Sequence, residues 1–313
     1  MEANRIDRNT RDAVTQRSGI AAHARRFILL SVTLLAAACS SLKLGYNNAD
    51  TLLLYSLDSY FDLDDKQEDL ARERVRSLLS WHRSTQLTGY AQLLTEAQRK
   101  LDGQVKADDV AALQQQINAR LAVISDQAAP DLAALALTLT PAQIERFASK
   151  LAKESSSARR DLVRFAGARE SADERVRRYT ERAESWFGSV NAEQMQILNA
   201  ALTERSTAET WWMDERERRQ REMAQLLQRI HDEKPPASEA TRRMREYFTQ
   251  LAEPREAQRR AALAAHRQSN AELVARLVNA ASPAQRAVLT KKLRGYAEDF
   301  IALTAEAGNN GRS

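Results

Sequence analysis

The amino-acid sequence predicts an all-α protein, an elongated multi-helix bundle. Three observations carry that. Ala, Leu, Gln, Glu and Arg dominate after residue 39, and apolar positions recur at helical spacing. Nine glycines, six prolines and 6% aromatic residues in 313 are too few to punctuate a sandwich or barrel of short strands. No stretch of four or more residues alternates apolar and polar side chains as a half-buried strand does. The single cysteine also excludes an internal disulfide framework and any multi-cysteine zinc site.

The chain opens on a leader. Arg25 and Arg26 precede the uncharged stretch 27–38, too short to span a bilayer and of the length of a signal-peptide apolar region. Ala36, Ala37 and Ala38 lead into Cys39, and the pattern resembles a bacterial lipobox, with Ala36 where leucine is usual. It implies a signal peptide over 1–38, cleavage before Cys39, and a covalent lipid on that thiol as the sole bound group, with no other cofactor. The expected organisation is then a short lipidated tether (39–48), a helical domain (49–306) and a disordered polar tail (307–313). An ordinary secretory leader and an uncleaved anchor are the alternatives. The leader also decides the charge argument. The net charge is +5, but residues 1–38 hold six arginines against three acids, leaving 41 basic and 39 acidic residues behind them. So nearly balanced a mature chain carries no nucleic-acid footprint, and no nucleic-acid partner is expected.

The elements follow in order. Residues 49–61 form a short, unusually apolar helix, and 65–85 a second with Leu70, Val75, Leu78, Leu79 and Trp81 near one stripe. Further helices are expected near 87–101, 108–127 and 131–138, then 141–166 and 172–187. One long helix covers about 192–232, and the last three cover 237–252, 255–279 and 283–306. Four starts carry the same punctuation: Asp64, Thr140, Asn191 and Ser282 each stand three residues before a glutamine (67, 143, 194, 285). The short oxygen-bearing side chain accepts from the N3 amide and the glutamine reaches back to the cap's own N–H, a capping box. Pro141 and Pro283 sit at the first helical position, where a missing N–H costs nothing. Leu139-Thr140-Pro141-Ala142-Gln143 also resembles the Leu-Thr-x-x-Gln motif of small periplasmic helical chaperones of the Spy type. Leu94-Thr95-Glu96-Ala97-Gln98 has the same letters inside a continuous apolar periodicity.

Little here announces chemistry. There is no phosphate-cradling glycine loop, zinc-protease motif or nucleophile elbow. His82, His231 and His266 have no mutual helical spacing, so no metal site is expected from them. Asp58 and Asp62 lie four apart with Asp64 and Asp65 following, but Lys66 and Gln67 break the calcium-loop order, and helix capping accounts for half the group. No catalytic residue is assigned. Trp211 and Trp212 precede Asp214–Glu222, polar at every position, which is expected to be a solvated face with Glu215–Arg219 and Glu217–Arg221 pairs. Adjacent tryptophans cannot share one face, so one of them is a candidate partner contact.

Tyr46, Asn47, Asn48 and Asp50 are a membrane-proximal recognition candidate, because six residues from Cys39 allow only about 20 Å of reach, and Trp81, His82 and Arg83 are further recognition candidates. The alternative is a turn and N-cap. With Leu57-Asp58-Ser59-Tyr60-Phe61-Asp62-Leu63 and Trp81-His82-Arg83, the segment Tyr46–Asp50 resembles an uncharacterised family of Gram-negative lipoproteins. That resemblance, specific over residues 43–90, implies an envelope lipoprotein and transfers no activity. Ser40 after the cysteine, by resemblance to sorted lipoproteins, implies the periplasmic side of the outer membrane. The expected function is non-enzymatic: a membrane-held interaction or structural module with an envelope protein partner. A holdase and, more remotely, a glycan-active enzyme using Asp58 or Asp62 are the alternatives.

Overall fold

The computed structural model describes residues 42–166, 169–204 and 206–310. The leader, Cys39 and Ser40 lie outside the described residues. The chain divides between Asn47 and Asn48. Before that point residues 42–47 are helical. After it the described residues form α1 (Ala49–Phe61), α2 (Asp65–Thr85), α3 (Leu87–Lys100), α4 (Ala107–Thr138), α5 (Pro141–Ala166), α6 (Arg169–Phe187), α7 (Ala192–Glu204), α8 (Ser206–Glu233), α9 (Ala237–Ala252), α10 (Ala257–Asn279) and α11 (Pro283–Asn310). Among the described residues the molecule is an all-α, multi-helix bundle.

Two expectations are corrected. The break expected between 127 and 131 does not form: α4 runs through Pro130. A proline inside a helix costs about 3 kcal/mol, so something must offset it. Ala128 and Ala129 before it and Ala133, Leu135 and Ala136 after it are all buried, so the continuous helix sets apolar contacts on both sides of the proline against that cost. At the other end, the helix expected to stop at 306 continues to Asn310, four residues into the segment expected to be a disordered tail. The long helix expected over 192–232 is covered by α7 and α8, with residue 205 outside the described residues.

All four capping boxes close. The glutamine side chain of each accepts from the backbone N–H of Asp64, Thr140, Asn191 or Ser282 at 2.9–3.1 Å. The cap oxygen accepts in turn from the N–H three residues on. The same glutamines then meet in pairs across the bundle. Gln67 Nε2 donates to Gln143 Oε1 at 3.1 Å and Gln143 Nε2 to Gln67 Oε1 at 2.6 Å. Gln285 Nε2 donates to Gln194 Oε1 at 2.9 Å. Each amide also holds a carbonyl at or just past the end of a helix at the other junction: Thr138 O, Asp62 O, Leu277 O and Ser189 O. All four glutamines are buried. A buried amide is stable only when its donors and acceptors are used, and here they are used to tie two helix junctions together.

This pairing exposes an internal repeat, α1–α5 and α6–α11. Ser59-Tyr60-Phe61-Asp62 ends α1 and Ser185-Trp186-Phe187-Gly188 ends α6, each turning off the helix through a left-handed residue, Asp62 (φ 57) and Gly188 (φ 80). Thr140-Pro141-Ala142-Gln143 and Ser282-Pro283-Ala284-Gln285 start α5 and α11, with Lys150-Leu151 and Lys292-Leu293 at the same later places. Lys150 Nζ donates to Ser59 O and stands 4.4 Å from the Tyr60 ring centre. Lys292 Nζ donates to Ser185 O and stands 5.5 Å from the Trp186 ring centre. In each repeat a lysine thus closes the carbonyl end of a helix, where the dipole favours a cation. The repeats exchange their last helices: α5 packs on α8 of the second, α11 on α3 of the first, and α4 lies against α9 and α10.

Two cores result. The first gathers Phe61, Ala129, Ala133, Leu139, Ile144, Leu226, Ile230 and Met244. The second gathers Val105, Phe187, Leu198, Leu273, Leu277, Leu289 and Leu293.

Candidate functional site

The residues singled out in the sequence fall into separate places. Tyr46 and Asn47 belong to the helical stretch before the division of the chain, Asn48 and Asp50 to the start of α1. Asn48 occupies the N-cap position but its side chain makes no capping hydrogen bond, so the expected Asn cap is not formed by that residue. Asp50 accepts from the N–H of Thr51 at 2.8 Å.

Trp81, His82 and Arg83 end α2, all half-buried. His82 Nε2 lies 3.0 Å from the Tyr90 hydroxyl, and burial pushes the imidazole below its ordinary pKa. Tyr90 meets Phe300 edge-on at 5.6 Å, and Arg120 stands 5.5 Å from its ring. Arg83 pairs with Glu306 at 3.8 Å. The Trp-His-Arg segment therefore fastens α2 to α3, α4 and α11.

The tryptophan pair behaves differently. Trp212 is 39% exposed and stacks on His266 at 5.2 Å and 10°, while the Arg219 guanidinium lies 5.3 Å from its ring. Trp211 is half-buried beside the same histidine, at 6.3 Å. Trp212 opens onto a hollow of about 300 Å³ shared with Phe147, Leu151, Arg216, Met223 and Tyr247.

The charge run beside it corrects an expectation. Asp214–Glu222 is not only a solvated face, because Glu215 points inward with 3% side-chain exposure. It receives both Arg259 Nε and Nη2 at 2.8 Å and Arg219 Nε at 2.6 Å. Burial alone would raise the Glu215 carboxyl; the hydrogen bonds from Arg259 and Arg219 outweigh it and hold it below the usual range. Glu217 accepts from Arg159, which also reaches Asp214, so α5 and α8 are laced together at the edge of the hollow. Burial pushes the Tyr247 hydroxyl up to about 12, so it serves as a neutral donor to Arg219 O at 3.0 Å. Sequence reasoning missed Arg259, whose partner lies 44 residues away. It missed the Lys150 and Lys292 clamps too, although the paired Ser-aromatic-Phe and Pro-Ala-Gln strings were there to be aligned.

The acidic group is used locally. Asp58 Oδ1 accepts from Leu63 N–H, Asp62 turns the chain and pairs with Arg146 at 3.5 Å, and Asp64 caps α2. Among the described residues no three His, Cys, Asp or Glu side chains are placed to hold a metal, and no helix is long and apolar enough to cross a membrane. Leu94–Gln98 lies inside α3, where Thr95 bonds back to Ala91 O and caps nothing.

A second, larger hollow of about 780 Å³ opens in the second core between α3, α4, α6, α10 and α11. No sequence signal pointed to it.

The sequence pattern of a family of unknown function, DUF6279, matches residues 59–273. That match begins at Ser59, so it leaves out Tyr46–Asp50 and takes in Trp81–Arg83, and it spans most of both repeats. No curated protein and no solved structure matches the chain.

Proposed function

The chain belongs to the family of unknown function DUF6279, and we propose that it is a non-enzymatic lipoprotein, held by Cys39 on the periplasmic side of the outer membrane, whose work is to bind an envelope protein partner. The observation that carries the binding half is the Trp212 site. An exposed tryptophan fixed between His266 and Arg219, beside Arg216, Met223 and Tyr247, has the side-chain types in which interface energy concentrates. The Arg159–Asp214–Glu217 and Glu215–Arg259 pairs hold that surface rigid, so little ordering entropy is lost on docking. The anchoring half rests on the leader and its cysteine. Tyr46, Asn47, Asn48 and Asp50 would then face partners close to the bilayer.

Each half has its own test. Mass spectrometry of the native product should find an acylated amino-terminal Cys39, and Cys39→Ala should release the protein from membranes; an intact leader with a free thiol overturns the anchor. A photo-crosslinker at position 212 should trap one discrete partner in cells, lost when Arg216→Ala and Met223→Ala are combined. Only diffuse products, or a crosslink insensitive to that pair, overturn the binding role. A holdase would instead suppress aggregation of several unrelated unfolded proteins at near-stoichiometric amounts.

A further inference from the structure

We propose that the hollow in the second core is a binding site for one long acyl chain of an anionic amphiphile, its head group at the mouth beside Arg182. The inference stands on the hollow alone and is independent of the Trp212 reading.

The internal repeat supplies the comparison. In the first core Phe147, four residues after the capping glutamine of α5, stacks on Phe61 at 4.7 Å and 8° and meets Tyr60 edge-on. There the ring fills the space between α1 and α5, its outer edge bordering the smaller hollow at Trp212. At the matching position of α11 stands Leu289, and Phe187, the counterpart of Phe61, faces the opening with Leu198, Leu273, Leu277 and Leu293. The same scaffold, fastened by the same bonds, is thus filled by a ring in one repeat and hollow in the other. Close packing is the rule in protein interiors, and an apolar void of this size forfeits contacts on every wall.

Its dimensions and lining fit the occupant. At about 780 Å³ it lies within the range of small-molecule sites. A methylene occupies roughly what a water molecule does, ~30 Å³, so a chain of about seventeen carbons fills some two-thirds of it. The walls are mostly Leu, Val, Ala and Phe, with Gln116, Tyr179 and Asn270 among them and no buried charge to desolvate. Its charged groups are all at least partly exposed. Trp186 (39% exposed) and Val274 (44%) form the lip, the position of an amphipathic ring at an apolar–polar boundary. Four charged side chains border it: Glu96, Lys100, Asp109 and Arg182. Lys100 and Asp109 satisfy each other at 2.7 Å. Among the described residues Arg182 is in no ion pair, and Lys292 adds a second cation beside Trp186. A carboxylate or phosphate at the mouth would meet Arg182 while its chain lies inside.

The test uses the full mature protein, delipidated, and 9,10-dibromostearic acid, whose bromines quench nearby tryptophan. Saturable quenching at one equivalent is expected, lost in Trp186→Phe. Leu289→Phe, which gives the second repeat the ring the first one has, should weaken binding at least tenfold and leave the helical circular dichroism and the melting temperature at or above the native values. Leu113→Phe fills the space from the opposite wall and should do the same should the first variant repack. Arg182→Gln should weaken the acid more than its methyl ester. Displacement of the brominated acid by palmitate alone identifies a free fatty acid as the occupant, and displacement by phosphatidylglycerol vesicles a phospholipid. No saturable quenching, or quenching untouched by both filling variants, overturns the proposal and leaves the hollow a packing defect.

Discussion

Replacing Gln194 by Met isolates what the paired glutamines contribute, because the two side chains have similar volume and only one has an amide. Gln194 is fully buried. Its Oε1 accepts from Asn191 N–H at 3.1 Å and from Gln285 Nε2 at 2.9 Å, and its Nε2 donates to Leu277 O at 3.0 Å. In Gln194→Met, Gln285 Nε2 keeps Ser189 O at 2.8 Å, so it is not orphaned. Asn191 N–H and Leu277 O are. Leu277 O is one of the last carbonyls of α10, with no intrahelical partner to fall back on. Each buried orphan costs about 1–3 kcal/mol, hence about 2–6 together, from which the cheaper burial of a thioether subtracts about 1. The expected loss is about 3 kcal/mol. Urea unfolding followed by both circular dichroism and tryptophan fluorescence measures it, as a lower midpoint at unchanged slope. The exposed neighbour Gln196→Met should cost under about 0.5 kcal/mol. Gln194→Met combined with Gln285→Met should be less than additive by about 1 kcal/mol, whereas with Gln67→Met, in the other core, the losses should add. A loss no larger than that of the Gln196 control would refute the role given to the pair.

Further expectations follow from other contacts. Arg259→Met strands Glu215 with Arg219 alone and should cost about 3 kcal/mol by the same unfolding assay, while adding Glu215→Leu recovers most of it, since a lone buried charge is worse than none. His82 holds off its proton in the folded state, so the unfolded chain binds it first. Stability should therefore fall as pH drops below about 6.5, and His82→Gln should flatten that part of the melting-temperature profile. Gly188 has φ 80, and a Cβ there would sit an ordinary 3.5 Å from Val288, so Gly188→Ala should cost about 1 kcal/mol from backbone strain alone, read by thermal melting. Asp62→Gly, at the matching turn, should change stability by less than about 0.5 kcal/mol, relief of φ 57 being offset by the freer unfolded chain.

Most helices were legible because their signals are local. The boxes at Asp64, Thr140, Asn191 and Ser282 need only four residues each to be recognised, and the period of the apolar positions survives any tertiary arrangement. The break expected between 127 and 131 does not form because the local penalty of Pro130 meets a non-local reward, the buried alanine face on either side of it. The charge run misled similarly: Glu215 and Arg219 could be paired from sequence, but nothing in their spacing points to Arg259. The hollow was invisible for a stronger reason. A void is a property of what several helices fail to fill, and no single segment carries it.

The repeat turns that limitation into an argument. What the halves share is fastening: buried glutamine pairs, a lysine on each helix end, a left-handed turn after Phe61 and Phe187. What they do not share is filling: Phe147 against Leu289, Tyr60 against Trp186, Asp62 against Gly188. Fastening explains why both halves fold alike, and so it cannot also explain why the chain needs two of them. The differences can. The first repeat fills its core with stacked rings and keeps only the smaller hollow beside Trp212, which α8 presents outward at the seam with α5. The second leaves its core open behind Trp186. A scaffold that used both halves only for stability would be expected to pack both equally well, so the open core of the second half calls for a role of its own, separate from the Trp212 surface.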